Sequence, residues 1–261
     1  MEEVQKNRRR GVFLLPNLLT TGALFAGFFS IVSGINGNYT AAAVAVIVAG
    51  VLDGLDGRVA RLTGTQSDFG VQYDSMSDLI SFGLAPALLA FNWSLSSLRD
   101  AGPFAAKLGW LAAFIYVACA ALRLARFNTQ AAVADKAYFQ GLASPAAAGM
   151  LVTTVWFCTA HGIGGAAVRW VVLFETVALG LLMFSRVRYF SFKTWPRERV
   201  PLAWGLAAVI VFALLAADPP TVLMVVGVVY VVSGLVITVA GRHNWKFRRR
   251  QRAAARQEDE G

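Results

Sequence analysis

The stretch DGLDGRVARLTGTQSDFGVQYDSMSD, residues 53–78, holds five aspartates and two arginines in 26 positions. It lies between two of the most apolar regions of the chain. Asp53 and Asp56 are three apart and Asp74 and Asp78 four apart, so on helices each pair shares one face. A short turn at Thr63–Asp68 lets the two helices return antiparallel. Four carboxylates are then expected to converge on one point.

The surroundings say what kind of protein carries this charge. Charged residues make up 15% of the 261-residue chain and mean hydropathy is +0.57, against about 25% charged in an ordinary soluble domain. The reading is an integral membrane protein. A spanning helix needs about 20 apolar residues, and eight segments qualify, near 14–36, 39–62, 71–93, 104–127, 145–161, 167–186, 201–217 and 219–240. Short breaks such as NGN, DAGP, HGIGG and ADPP separate them. The apolar run after the basic N-terminus is too long for a signal peptide and has no small-residue cleavage site. With eight spans, all but Arg99, Lys107 and Arg169 of the 24 Lys and Arg fall on the side of the two termini. By the positive-inside rule that side is the cytoplasm. The expected fold is an all-α, polytopic membrane bundle of about eight transmembrane helices, both termini cytoplasmic. Residues 1–240 would form the transmembrane domain and 241–261 a basic cytoplasmic tail.

The net charge of +9 is spread over every cytoplasmic loop, as topology alone requires, so no nucleic-acid partner is expected. The tail RHNWKFRRRQRAAARQ suits anionic lipid headgroups instead. Cys119 and Cys158 each sit in an apolar segment without metal-ligand spacing and read as small core residues.

An ionised aspartate inside a membrane costs about 2.5–3.5 kcal/mol on insertion scales, and four together repel one another. Divalent cations answer both problems. Mg²⁺ and Mn²⁺ prefer carboxylate oxygens and keep places for substrate phosphate, and four carboxylates can hold the two metals that clamp a phosphoryl centre. Gly54, Gly57, Ala60, Gly64 and Gly70 permit close helix approach or leave room for a ligand. Arg61, one turn beyond Gly57, is suited to a phosphate. Asp–Arg salt bridges in a structural bundle and a cation pathway in a transporter are the competing readings. Neither explains the glycines and the short turn.

The fixed positions Asp53, Asp56, Gly57, Ala60, Arg61, Gly70, Asp74 and Asp78, with their spacing, resemble the signature of the CDP-alcohol phosphatidyltransferases. LPNLLTTG at 15–22, SDLISFGLAPA at 77–87, ALRLARFN at 121–128 and GLASPAAAG at 141–149 are similar to the bacterial serine-using branch, so the likeness covers roughly 15–149. Ala143 departs from the proline that branch often has there. The resemblance implies a membrane transferase, usually dimeric, that takes CDP-diacylglycerol and L-serine and releases CMP with two divalent cations, Mg²⁺ or Mn²⁺. Acceptors such as glycerol 3-phosphate, inositol or choline would keep the same aspartates and remain the alternative. The unrelated phospholipase-D-like route needs His-x-Lys, which neither His161 nor His243 begins.

Under that resemblance, Asp53, Asp56 and Asp74 are the principal metal ligands. Asp78 completes the site and serves as catalytic base. Gly57, Ala60 and Arg61 contact the nucleotide and its phosphate. Asn17 and Thr20 either hold the diphosphate or cap the first helix. Arg123, Arg126 and Asn128 are candidates for the serine carboxylate, with plain positive-inside charge as the rival reading for the arginines. Pro86 is expected to bend the third segment and Asp68 to serve a turn or cap. Glu175 receives no catalytic role. The site is expected at the cytoplasmic face of the cell's inner membrane, where the nucleotide donor is made.

Overall fold

The computed structural model describes residues 2–64, 67–130, 139–185, 187–189, 209, 213–236 and 238. The basic tail from residue 241 and most of the seventh predicted segment lie outside them. The described chain is helical: α1 (Glu2–Ile35), α2 (Tyr39–Thr63), α3 (Asp68–Asp78), α4 (Ala85–Trp93), α5 (Pro103–Gln130), α6 (Ser144–Ala160), α7 (Arg169–Phe184) and α8 (Pro219–Val236). A two-residue antiparallel pair, Phe139–Gln140 with Arg188–Tyr189, is the exception.

Five stretches are long and apolar enough to cross a membrane: Pro16–Ile35, Tyr39–Thr63, Asp68–Ala101, Pro103–Thr129 and Pro219–Val236. The protein is therefore a multi-pass, all-helical membrane protein. The predicted fifth and sixth segments are helices, but at 17 and 16 residues they rise only about 25 Å, short of a typical hydrocarbon core of about 30 Å.

Local chemistry sets the helix ends around the aspartates. Gly64 closes α2 in the left-handed conformation (φ 64°), its N–H returning to the Ala60 carbonyl, a conformation that glycine adopts without steric cost. Ser67 caps α3, its Oγ accepting the Gly70 N–H at 3.0 Å. Asp68 is thus the first residue of the helix rather than its cap, where its charge favours the helix dipole.

The third span changes helix type next to the proline expected to bend it. Residues Leu79–Leu84 form a π-helical turn between α3 and α4, with Pro86 just inside α4. Proline has no N–H to offer the Phe82 carbonyl four residues back. The hydroxyl of Tyr116, fully buried on α5, donates to that carbonyl at 3.2 Å.

Packing centres on α1. It runs along α2 through the small-residue face Ala42, Ala45, Ala49 of the latter, the close approach that small side chains allow in lipid. It also supports the third span. Ser77 Oγ donates to the Thr20 carbonyl at 3.2 Å and Ser81 Oγ to the Ala23 carbonyl at 3.0 Å. Gly27 lies where a Cβ would stand 2.8 Å from Ser81 Cα. The sequence suggested that α2 and α3 pack on each other, but α3 rests on α1 instead. The side chains that bridge α2 and α3 are their aspartates.

Gly27→Ala should push α1 off the third span. Overpacking of this kind costs about 1–3 kcal/mol, so a thermal midpoint in detergent several degrees below that of the unsubstituted protein is expected.

Candidate metal and transferase site

The carboxylates of Asp53, Asp56 and Asp74 each offer an oxygen within 4.8 Å of the others. Asp53 and Asp56 come from one face of α2, Asp74 from α3. Asp78, one turn beyond Asp74, lies near enough to Asp53 and Asp74 to feel their charge. Asp68 is exposed and stands outside the cluster.

The donor set fits a divalent cation. It is all carboxylate oxygen, the chemistry hard cations select. Asp74 Oδ1 is buried and has no hydrogen-bond partner, a costly state unless a ligand completes it. Among the described residues the sole ion pair is Arg99–Asp100, both well exposed, so no Arg or Lys forms a direct ion pair with the cluster. This removes the reading of the motif as a set of structural Asp–Arg bridges.

Thr20 and Asn17 lie mid-helix, because α1 begins well before them. The capping reading is therefore overturned. Thr20 is buried, and its hydroxyl donates to Asp56 Oδ2 at 2.7 Å. That bond orients a carboxylate that is only 4% exposed. Asn17 Oδ1 faces Gly70, 3.7 Å from where a Cβ would stand. Next to Thr20, Thr21 shares a 2.9 Å hydrogen bond with Tyr73, whose ring stacks on Phe69.

Gly54 and Gly57 do not serve close helix approach. A Cβ on either would meet nothing within 4 Å, so both border open space. Ala60 is half-buried and Arg61 exposed on the same helix.

The three candidates on α5 part company. Arg123 is half-buried, donates to Ser144 Oγ at 2.8 Å and is near enough to act on the charge of Asp78. Asn128 donates through Nδ2 to Ser75 Oγ at 3.0 Å, one residue from Asp74. Arg126 turns away from the aspartates. It donates to the Phe184 carbonyl at 3.1 Å and lies 4.4 Å from the centroid of that residue's ring, capping the end of α7.

Sequence reasoning did not single out Ser75, Ser77, Ser81, Tyr73 or Ser144. The available signal was Ser77 and Ser81, four apart in an otherwise apolar span, a spacing that suits interhelical hydrogen bonds.

The family model for CDP-alcohol phosphatidyltransferases matches residues 13–182, which include every residue of this site. The chain belongs to the CDP-alcohol phosphatidyltransferase family. Its relatives include the CDP-diacylglycerol–serine O-phosphatidyltransferase of Helicobacter pylori, 33% identical over 225 residues, 86% of this chain and 91% of that protein. The enzyme of the same name from Mycobacterium tuberculosis is 32% identical over 217 residues, 80% and 72% of the two chains. The archaetidylserine synthase of Methanothermobacter thermautotrophicus is 33% identical over 177 residues, 67% and 69%. The family uses divalent metal, in keeping with the donor set.

Thr20→Val keeps the shape of the side chain and removes the bond to Asp56. Loss of such a supporting bond typically weakens a metal site about 10–100-fold. A rise of that order in the Mn²⁺ concentration for half-maximal activity is expected, with Thr20→Ser close to the unsubstituted protein.

Proposed function

We propose that this membrane protein transfers the phosphatidyl group of CDP-diacylglycerol to the hydroxyl of L-serine, releasing CMP. The observation that carries the reading is the convergence of Asp53, Asp56 and Asp74 around an unpartnered Asp74 oxygen, in a family whose relatives over most of this chain are named for that reaction.

In this reading Asp53, Asp56, Asp74 and Asp78 hold two divalent cations, Mg²⁺ or Mn²⁺. When bound, these neutralise the diphosphate and stabilise charge on the departing CMP. The chain's own residues do the rest. Thr20 fixes Asp56. Gly54 and Gly57 leave the headgroup room against the α2 backbone. Ala60 and Arg61, one turn further, serve the nucleotide and its phosphate, and Asn17 serves the diphosphate from α1.

Asp78 accepts the proton of the serine hydroxyl as the oxygen–phosphorus bond forms and the bond to CMP breaks. Arg123 takes the serine carboxylate, a pairing guanidinium makes well. Its bond to Ser144 and its nearness to Asp78 put that carboxylate beside the base. Asn128 steadies α3 through Ser75. Arg126 anchors α7 through Phe184 and takes no part in binding.

The 21-residue tail and the eight-span count belong to the same reading. Residues 1–240 form the transmembrane domain with both termini and the site on the cytoplasmic face of the inner membrane. Residues 241–261 lie on its lipid headgroups. The enzyme works as a homodimer. The charge bias of the loops supports the orientation.

Purified protein should release CMP from CDP-diacylglycerol with L-serine and Mn²⁺ or Mg²⁺, and not with glycerol 3-phosphate or inositol. Asp78→Asn or chelator should abolish release. Serine-independent release, or preference for another alcohol, would overturn the acceptor. A charge-assisted hydrogen bond contributes about 1.5–3 kcal/mol. Arg123→Gln should therefore raise KM for serine roughly tenfold or more, with KM for the lipid little changed, while Arg126→Gln should lower thermal stability and leave both KM values near those of the unsubstituted enzyme.

A further inference from the structure

The last described span, α8 (Pro219–Val236), lies beyond residues 13–182, the part of the chain that the family model matches. Val225, Val228, Val229 and Val232 on it are exposed, whereas Met224, Gly227, Tyr230 and Gly234 are half-buried or buried. The latter recur at three- and four-residue spacing and so form one face.

Two contacts set that face against α6. Thr154 Oγ1 lies 3.5 Å from Met224 Sδ, and a Cβ at Gly227 would stand 3.7 Å from Met150 Cα. Numbers rise along α8 as they fall along α6, so the two helices run antiparallel. At this register Tyr230 lies level with Ala147, about one turn from Ser144. Ser144 is the residue to which Arg123 donates at 2.8 Å. Tyr230 and Arg123 are near enough to act on each other electrostatically. Three helices therefore meet at this guanidinium: α5 carries it, α6 offers Ser144 and α8 brings Tyr230. No described acid forms an ion pair with Arg123.

We infer that Tyr230 is a positioning residue for the acceptor site, its phenol oxygen accepting an N–H of Arg123 and fixing the direction of the guanidinium. The inference rests on the proposed transferase reading, and within it on Arg123 as the partner of the serine carboxylate. A guanidinium in an apolar bundle needs acceptors for the N–H groups that it does not give to substrate. An acidic neighbour would supply one, but it would also neutralise the charge that draws the incoming carboxylate. A neutral phenol supplies one and leaves the charge intact. Ser144 acts in the same way from α6. A helix outside the matched region thus sets the affinity for the acceptor without touching the reacting atoms.

The test uses the full chain in lipid nanodiscs and measures CMP release. Tyr230→Phe removes only the hydroxyl. It should raise KM for L-serine roughly threefold to tenfold, the range that one hydrogen bond commands, with kcat, KM for CDP-diacylglycerol and the thermal midpoint near those of the unsubstituted protein. Added to Arg123→Gln, it should raise KM for serine no further, because two residues acting through one interaction are not additive. A residue that merely packs would show no such split between the substrates and would add its effect to that of Arg123→Gln.

A second measurement does not depend on activity. The Gly227 Cβ position is 3.9 Å from Met150 Cβ, within the span of about 3.5–4.5 Å that a disulfide bridges. Met150→Cys with Gly227→Cys should join on mild oxidation, read by mass spectrometry of the linked peptides, and keep serine-dependent release. Failure to join would mean that α8 does not lie on α6 and would overturn the inference. So would an unchanged KM for serine in Tyr230→Phe, or equal rises in KM for both substrates. Absence of serine-dependent release from the unsubstituted protein would instead overturn the transferase reading, and this inference with it.

Discussion

Four aspartates drawn together inside an apolar bundle impose the constraint on which this structure depends. Like charges at such spacing repel, and a surrounding of low polarity strengthens the repulsion. The helices that carry them cannot close on each other as two apolar helices would. Helix α3 leans on α1 instead, and α2 is held along its other side by α1 and α6. The two helices meet through their carboxylates, and the glycines at 54 and 57 border open space.

Helix α1 bears the consequences. It carries no acid of the signature, yet it orients Asp56 through Thr20 and receives two serine hydroxyls from the third span on its backbone carbonyls. Those carbonyls already belong to the α1 helix ladder, and an oxygen with two lone pairs can accept a second donor. The third span is therefore fixed by bonds that need no polar side chain on α1. Gly27 allows the approach. Support of this kind fixes where α3 stands, and so where Asp74 and Asp78 stand.

The sequence made much of this legible because the signal was chemical. Acids at three- and four-residue spacing have few uses in a membrane helix, and glycines between them narrow the choice further. The helical class followed from hydropathy, and an irregularity near Pro86 from the missing amide. What stayed hidden were relations across helices. Nothing in the run LPNLLTTG says that Thr20 turns inward to Asp56 while Thr21 turns to Tyr73. Arg123 and Arg126 look alike at three-residue spacing, yet Ser144 and Phe184, far along the chain, draw them to different partners. The turn brings the carboxylates of α2 and α3 together as expected, but that α3 lies chiefly along α1 was not legible in its sequence. Ala143 stands where the branch often has a proline, and its φ of −62° is one that proline also adopts.

The wide turn at Leu79–Leu84 has a further meaning. A π turn inserts one residue into an α-helical repeat, and each residue advances the helix by about 100°. The third span therefore changes phase partway through. The half that bears Asp74 and Asp78 is free to present its acids to α2 and its serines to α1. The other half turns Ala85, Leu89 and Ala90 into the core on a separate schedule. One continuous rod would have to compromise between these two sets of neighbours. Two half-rods offset by a fraction of a turn do not, and the polar end of the span can be specified independently of the apolar end that holds it in the membrane.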